Sequence, residues 1–333
     1  MTWLTWRQFR VSALAVFAVL AAFFVVLAIT GPDLVGRTTF TNEDTLYVST
    51  VLAMYLLPAV LGVFWGVPMV TRELETGTHC LVWNQSITRT RWLATKLGIG
   101  VTAAMVAAAL LSLAVTWWAS PVDALAAAEP EASLLTRLSP VVFGARGIAP
   151  IGYAACTFVL GLAVGIVLRR TVAAMAVTLA LFAAVMVTVP LLLRPYALPA
   201  VEESVPITAE SIHRIIGNES GLEAITVTNP AGAWVLSNET VDSDGAVATS
   251  LPDAVQGCLP PPPGDRDSAA PPPPDRQTAT ECLAQLSDLG YHQRVVFHPG
   301  NHFWPLQLLE TACYLAVTAL LGWFCFRRLR HLS

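Results

Sequence analysis

Charged side chains are scarce in this 333-residue sequence: they make up 13% of it, and a single lysine stands against eighteen arginines. The net charge of −4 is small, and the basic residues do not gather on one broad polar face, which excludes nucleic acid as a partner. Hydrophobic residues make up 55% of the chain, and its mean hydropathy is +0.60. This composition is typical of a chain that crosses a bilayer several times.

Motifs for catalysis, nucleotide binding and metal binding are also absent. A phosphate-binding loop needs a glycine-rich turn followed by lysine and then serine or threonine, but Lys96 lies between Thr95 and Leu97. The six cysteines form no CxxC pair, and His292, His298 and His302 fit no strong metal pattern. We therefore expect no catalytic residue, no metal site and no cofactor in this chain.

Six apolar runs reach the roughly 20 residues that a helix needs to cross a bilayer. In lipid every backbone amide must be paired within its own segment, which favours helices. The first run is longer than the apolar core of a signal peptide and lacks a clear cleavage site, so we interpret it as a retained span. The predicted spans are Val11 to Thr30, Val51 to Val70, Leu97 to Trp118, Gly147 to Leu168, Thr171 to Leu193, and Trp304 to Phe326.

The positive charges in the short loops predict the orientation. With the amino terminus inside, eleven cations lie on the cytoplasmic side and three in the short loops outside. We therefore expect both termini in the cytoplasm of a bacterial cell and the long segment 194–303 outside its inner membrane. The inner cations are Arg7, Arg10, Arg72, Arg89, Arg91, Lys96, Arg169, Arg170, Arg327, Arg328 and Arg330; the outer ones are Arg37, Arg137 and Arg146.

Segment 194–303 has the composition of a soluble domain, and its pattern predicts a small α/β layer outside the membrane. Capping and stop residues predict one helix from Thr208 to Gly217 and a second over Thr278 to Leu289 that ends at Gly290. Strands are expected at Leu222 to Thr228, Ala233 to Ser237 and Arg294 to Phe297.

A proline-rich loop, residues 259–275, interrupts this domain, and its two four-proline runs favour extended polyproline II. Cys258 and Cys282 flank the loop. In an oxidising exterior a disulfide between them would close it, whereas the alternative is two free thiols.

Ionisable residues within the spans are the usual sign of ion-coupled transport, and five of the six predicted spans contain none. The exception is Glu310, about two turns into the sixth span. Glu310 either lines a substrate path or reaches the interface beside Gln307. Coupling to a proton or sodium gradient is therefore poorly supported.

Residues 71–96 form the longest predicted cytoplasmic loop. Arg72, Glu73 and Glu75 extend the second span to a stop at Gly77. Thr78 can cap a short helix that carries Trp83. Thr88 can cap the third span, beside Arg89. Two interpretations are open: the tryptophans are interface anchors and the arginines set topology, or the loop docks a partner.

Two glycines of the fourth span, Gly161 and Gly165, form a small-xxx-small face that lets another helix approach closely. The approaching helix belongs either to the same chain or to a second copy across a dimer seam.

The loop sequence TRELETGTHCLVWNQSITRTRWLATKLG resembles the coupling loop of ABC export permeases of the six-span (type V) class. In that family the short helix seats in a groove of the ATPase subunit, so the resemblance implies an ATPase-coupling role for the matching positions. The residues at matching places are Arg72, Glu73, Gly77, Thr78, Ser86, Arg89 and Lys96. Trp83 lies on the short helix itself.

Other segments extend this resemblance along the chain. TWLTWRQFR, within residues 1–10, looks like the amphipathic elbow helix of that class, with Trp3, Trp6 and Phe9 facing lipid and Arg7 and Arg10 facing water. GIAPIGYAACTFVLGLAVGIVLRRTVAAMAVTLALF and HFWPLQLLETACYLAV are similar to permeases of actinobacterial ABC systems.

The fold expected is an all-α polytopic membrane protein with an elbow helix at 1–10, helices one to five within 11–193, an ectodomain at 194–303, a sixth helix at 304–326 and a tail at 327–333. The expected function is the permease of an ABC exporter, as a homodimer or sibling heterodimer bound to ATPase subunits that hold ATP and Mg²⁺. The alternatives are a membrane-anchored sensor or assembly protein with a ligand-binding ectodomain, and a secondary transporter.

Overall fold

A computed structural model describes residues 2–35, 45–77, 88–128, 136–208, 210–218, 221–248, 252 and 285–330. The chain divides into two compact units. The helical unit comprises Met1–Leu125, Ser139–Ala197 and Asn301–Ser333, and the sheet unit comprises Ala126–Leu138 and Leu198–Gly300.

Eight α-helices have both of their ends within the described residues. They are α1 (Thr2–Thr30), α2 (Thr45–Val60), α3 (Pro68–Glu75), α4 (Arg89–Ala128), α5 (Pro140–Phe143), α6 (Ala149–Leu168), α7 (Thr171–Thr188) and α8 (Phe303–Arg330). Six segments are long and apolar enough to cross a membrane, one for each predicted span. Composition alone was sufficient to locate them, because length and hydropathy are what a spanning helix requires.

The predicted elbow helix is the first part of α1, which continues without a break from Thr2 to Thr30. Phe9 was expected to face lipid, but it is buried and meets Trp65 edge to face at 4.6 Å between ring centroids. That part of the prediction is wrong, because the aromatic contact with Trp65 removes Phe9 from the surface. Trp3, Arg7 and Arg10 are exposed, and Trp6 lies outside the described side chains.

Two helices pass through a π-helical turn next to a proline. Leu61–Gly66 joins α2 to α3 just before Pro68, and Val189–Leu193 ends α7 and contains Pro190. Proline lacks the N–H that a regular helix would use, and a wider turn accommodates the missing bond. The Val67 amide accordingly donates to the Gly62 carbonyl, five residues back, at 3.1 Å.

Helix α6 lies at the centre of the helical unit, where it contacts α2, α3, α7 and α8. Gly161 lies so close to Gly62 that an added Cβ would overlap the Gly62 carbonyl, and Gly165 lies against Thr71 and Val67. The close approach at both glycines is therefore made within one chain, to the π turn and α3.

The described part of the sheet unit contains five strands: β1 (Val201–Pro206), β2 (Ile212–Asn218), β3 (Gly221–Val227), β4 (Trp234–Val241) and β5 (His292–His298). Strands β1, β5 and β4 form one antiparallel sheet in that order, and β2 and β3 form a second. The sheet unit has a small hydrophobic core, which consists of Val227, Ala233, Val295 and Phe297.

The sheet unit confirms three predicted strands and corrects one predicted helix. Strands β3, β4 and β5 lie where strands were expected. The helix predicted from Thr208 to Gly217 is wrong, because Ile212–Asn218 is strand β2, paired antiparallel with β3. Strand β1 was not predicted. Of the second predicted helix, residues 285–288 are helical, and Gly290 follows with a φ of 83°.

Several predicted features lie outside the described residues. They are Thr78 and Trp83 on the short loop helix, the proline-rich loop 259–275, and the cysteines Cys258 and Cys282. Among the described cysteines, Cys156, Cys313 and Cys325 are free.

Candidate functional site

The two helix ends that flank the predicted coupling loop are tied together by one carboxylate. Glu73 lies in the last turn of α3, while Trp92 and Lys96 lie one turn apart on α4 and so share a face. Lys96 Nζ donates to Glu73 Oε1 at 2.6 Å, and Trp92 Nε1 donates to Glu73 Oε2 at 3.0 Å. We call these three residues the Glu73 cluster.

The Glu73 cluster is well shielded from solvent and extensively bonded. The Lys96 and Glu73 side chains are 4% and 14% exposed. Lys96 Nζ also donates to the Met69 carbonyl at 2.7 Å and lies 4.6 Å from the centroid of the Trp92 ring. Removing one member of a buried ion pair leaves the other charge buried without a counter-charge, which is strongly destabilising. The Glu73 cluster therefore holds α3 and α4 in one arrangement. Glu73 thus positions the loop rather than presenting an open carboxylate.

The remaining described loop residues lie beside this cluster. Arg72 is exposed at the end of α3, and Gly77 has a φ of 70°, the left-handed conformation expected of a helix stop. Thr88 precedes α4, and its Oγ1 accepts from the Arg91 amide at 3.3 Å, which confirms the predicted cap. Arg89 is the first residue of α4.

A second carboxylate ties the same end of α3 to α7. Glu75 Oε1 accepts from the Thr171 amide at 2.6 Å, and Glu75 Oε2 accepts from Thr171 Oγ1 at 2.7 Å. Thr171 is the first residue of α7, where a negative charge meets the unpaired amides of a helix start. Sequence reasoning used Glu75 only to extend the second span and did not find this tie.

Glu310 is the centre of a second network, which we call the Glu310 cluster. Arg194 donates twice to its carboxylate, Nε to Oε2 at 2.9 Å and Nη2 to Oε1 at 3.1 Å. The Tyr153 hydroxyl also donates to Oε1. The Arg194 side chain is 2% exposed and that of Glu310 is 10% exposed. The bidentate geometry gives this buried pair both directionality and strength.

Gln307, one turn before Glu310, supports the same region. Its Oε1 accepts from the amides of Ile148 and Ala149, at 3.0 and 2.7 Å. Its Nε2 donates to the carbonyls of Phe143 and Arg146, both at 3.0 Å. Gln307 is fully buried, so these side-chain hydrogen bonds serve the packing of the helical unit.

The Glu73 and Glu310 clusters lie at opposite ends of α6. Tyr153 contacts Glu310 near the start of that helix, while Gly165, twelve residues later, lies against Thr71 of α3 and Val67 just before it. Twelve residues correspond to about 18 Å along a helix axis. One continuous helix therefore connects the two regions.

An apolar cleft of about 330 Å³ lies beside the Glu310 cluster, between α7 and α8. Arg194, Glu310 and Tyr314 are its polar lining residues, together with Cys156 and Cys313. The hypothesis that Glu310 lines a substrate path stays a prediction, and in this conformation its carboxylate is engaged by Arg194 and Tyr153.

Sequence reasoning missed the buried charges that pair within the helical unit. The helices are longer than the predicted spans, and they include Lys96, Asp123 and, in a 3₁₀ turn after α7, Arg194. Arg146 was counted with the outer loop charges, yet it is buried and its Nε donates to Asp123 Oδ2 at 3.3 Å. The available signal was that each of these cations lies at the edge of an apolar run and that another run carries a carboxylate, either at its edge or, for Glu310, about two turns inside it.

Comparison with known protein families gives one match for this region. Residues 33–194 match the family described as ABC-2 membrane transporter related. Over these residues the chain is similar to that family. The match covers α2 to α7 and hence the Glu73 cluster, whereas Glu310 and the strands of the sheet unit lie beyond it. No curated protein and no solved structure matches the chain.

Two findings point to a multi-pass membrane protein. Within the described residues, six segments have the length and composition of membrane spans. The family that residues 33–194 resemble is described as related to ABC-2 membrane transporters.

Proposed function

We propose that this chain is the permease subunit of an ABC exporter and that a separate ATPase subunit drives it. The similarity of residues 33–194 to the ABC-2-related family carries the proposal. The Glu73 cluster adds support, because it fixes the two helix ends from which the segment 78–87 extends. A segment held at both ends can transmit a push from a docked partner to the helices behind it.

In the proposed mechanism, movement passes through two carboxylates at the end of α3: Glu73, which bonds to α4, and Glu75, which bonds to α7. Closure of the ATPase subunits on ATP presses on segment 78–87, in which the sequence predicts a short helix that carries Trp83. The Glu73 cluster passes that displacement to α3 and α4, and the bonds of Glu75 to Thr171 pass it to α7. Helix α6, packed against α3 at Gly165, connects the movement to the Glu310 cluster.

The assembly proposed is a dimer of permeases, either two copies or a pair of siblings, with two ATPase subunits that hold ATP and Mg²⁺. The positive charges of the short loops support a bacterial inner-membrane location with both termini in the cytoplasm and the sheet unit outside. Substrate moves outward along a path between the two permeases.

Co-purification with an ATPase encoded by a neighbouring gene tests this proposal. Trp83→Ala is expected to abolish complex formation or the stimulation of ATP hydrolysis, because the docking helix loses its large apolar side chain. Trp117→Ala is the matched control, since Trp117 is an exposed tryptophan on α4, 25 residues beyond Trp92. Normal stimulation by the Trp83 variant would contradict the docking assignment.

A second candidate function, ion-coupled transport, is favoured by the buried ion pairs of the helical unit. The ion pairs bury ionisable groups within the helical unit: Lys96 with Glu73, Arg146 with Asp123, and Arg194 with Glu310. Such groups are typical of ion pathways. Uphill transport by purified permease on an ion gradient, without ATP, would favour this candidate over the first.

A further inference from the structure

A cavity of about 300 Å³ opens beside the Glu73 cluster, between α1 and the π turn that leads into α3. Its walls combine aromatic and charged side chains. The residues that line it are Phe9, Ser12, Phe64, Trp65, Pro68, Met69, Arg72, Glu73 and Lys96. We propose that this cavity binds the phosphate headgroup of an anionic phospholipid.

Charge is the first argument for this ligand. The lining carries two cations, Arg72 and Lys96, and one carboxylate, Glu73, which leaves a net charge of +1. Glu73 accepts from Lys96 and Trp92, whereas Arg72 is exposed and forms no ion pair within the described residues. A guanidinium in that position offers a fork of N–H donors suited to phosphate, and a singly charged phosphodiester would neutralise the cavity.

The apolar walls are the second argument. Phe64 is 60% exposed although it is a large aromatic residue, and Trp65 and Phe9 are buried behind it. Charged and aromatic groups that meet at the end of a spanning helix match the boundary between lipid headgroups and acyl chains. A free phosphate ion would use only the charged wall, whereas a phospholipid would use both walls.

Position is the third argument. Arg72 lies at the last turn of the α2–α3 span, and Lys96 lies about two turns into α4. Arg7 and Arg10, both exposed, lie within one turn of Phe9 and Ser12 on α1. Basic pockets between spanning helices at a membrane surface are the sites at which anionic headgroups bind. Occupancy of this site would brace α1 against the helix end that positions the 78–87 segment.

Photolabelling of the full chain in nanodiscs, without any ATPase, tests this inference independently of the transport proposal. The probes are a phosphatidylglycerol and a phosphatidylcholine, each carrying a diazirine near the glycerol end of one acyl chain, in a phosphatidylcholine bilayer. We expect phosphatidylglycerol to label peptides containing residues 9–12 and 64–69 in preference to the choline lipid. Equal labelling by the two lipids would overturn the inference.

Arg72→Gln and a matched control, Arg328→Gln, locate the site. Arg72→Gln is expected to lower phosphatidylglycerol labelling of these peptides about fivefold, the contribution of one arginine at a membrane surface. Arg328→Gln removes the same charge from an exposed position in the last turn of α8 and is expected to leave labelling unchanged. Equal losses in both variants would mean general surface attraction and would overturn the assignment to this cavity.

Ser12→Leu tests the cavity itself with Arg72 intact, because the larger side chain fills part of the space. Labelling is expected to fall, and unchanged labelling would contradict binding inside the cavity. Millimolar glycerol 3-phosphate distinguishes a lipid from a soluble anion. It is expected not to compete, and full competition would show a site for free phosphate instead of a lipid headgroup.

Discussion

At the scale of single residues, Glu73 and Glu310 each hold a cation that lies far away in the sequence. Lys96 is 23 positions from Glu73, and Arg194 is 116 positions from Glu310. Both pairs are largely shielded from solvent. The cost of removing the charges from water offsets much of the gain from pairing, so each pair adds little net stability and mainly fixes the geometry. Loss of one partner should therefore cost more than loss of both.

Glu310→Gln should destabilise the protein by about 3 kcal/mol, because it leaves the Arg194 guanidinium buried without its counter-charge. The double variant Arg194→Met with Glu310→Leu should recover most of that loss, since neither charge remains. Equilibrium unfolding of the detergent-solubilised protein measures both. A double variant no more stable than the single one would show that the pair does not act as a unit.

Trp92→Phe should weaken the Glu73 cluster while keeping an aromatic ring, because it removes the N–H that donates to Glu73. A hydrogen bond to a charged group contributes about 2 kcal/mol, about twice a neutral one. The matched control is Trp118→Phe, since Trp118 is equally buried and donates to the neutral Thr30 hydroxyl at 3.0 Å. Equal losses of unfolding free energy in the two variants would contradict the role assigned to the cluster.

At the scale of elements, close helix contact through glycine organises the helical unit. Helix α6 meets the π turn at Gly161 and Gly62 so closely that no side chain fits between them. Pro68 and Pro190 mark where regular helix gives way to a wider turn. Sequence reasoning found the small-residue face but could not choose between a contact within the chain and one across a dimer, because both need the same residues.

Gly161→Ala should destabilise the protein by about 1 to 3 kcal/mol, since the added methyl group must displace the backbone of Gly62. Gly98→Ala on α4 is the control, because nothing lies within 4 Å of an added Cβ there. That change should be neutral or stabilise by up to about 1 kcal/mol through helix propensity. Thermal unfolding of both variants measures the change in stability. Equal losses of stability in the two variants would contradict the close contact at α6.

The element predicted wrongly, strand β2, shows where local pattern is insufficient. Ile212, Ile215 and Ile216 fit the helical period, and Thr208 and Gly217 fit helix caps. Isoleucine is β-branched and favours strands, however, and Gly221–Val227 supplies an antiparallel partner. Pairing with a neighbouring strand outweighed the local helical signal.

At the scale of the whole molecule, length and hydropathy were enough to predict the six spans, whereas the pairings between them were not. Arg146 and Arg194 lie at the ends of apolar runs, a position that is as typical of outer loop residues as of buried ion-pair partners. Only the packed helices show that Asp123 and Glu310 lie within reach of them. A charge at the edge of a span acquires its role from a tertiary partner, which local sequence does not specify.

A disulfide between Cys258 and Cys282 remains a prediction for the segment that is expected to lie outside the membrane. Alkylation of denatured, unreduced protein should modify four of the six cysteines, and prior reduction should expose all six. Replacing both cysteines with serine should abolish this difference. Modification of all six in unreduced protein would show two free thiols instead.

The source of energy is the central claim for the whole assembly. The decisive measurement is substrate-independent ATP hydrolysis by the purified partner ATPase, with and without this permease in nanodiscs, compared with uphill solute movement by the permease alone. The account predicts that the permease alters ATPase turnover and that it moves no solute uphill on an ion gradient by itself. Uphill movement without the ATPase, together with unchanged ATP hydrolysis, would contradict it.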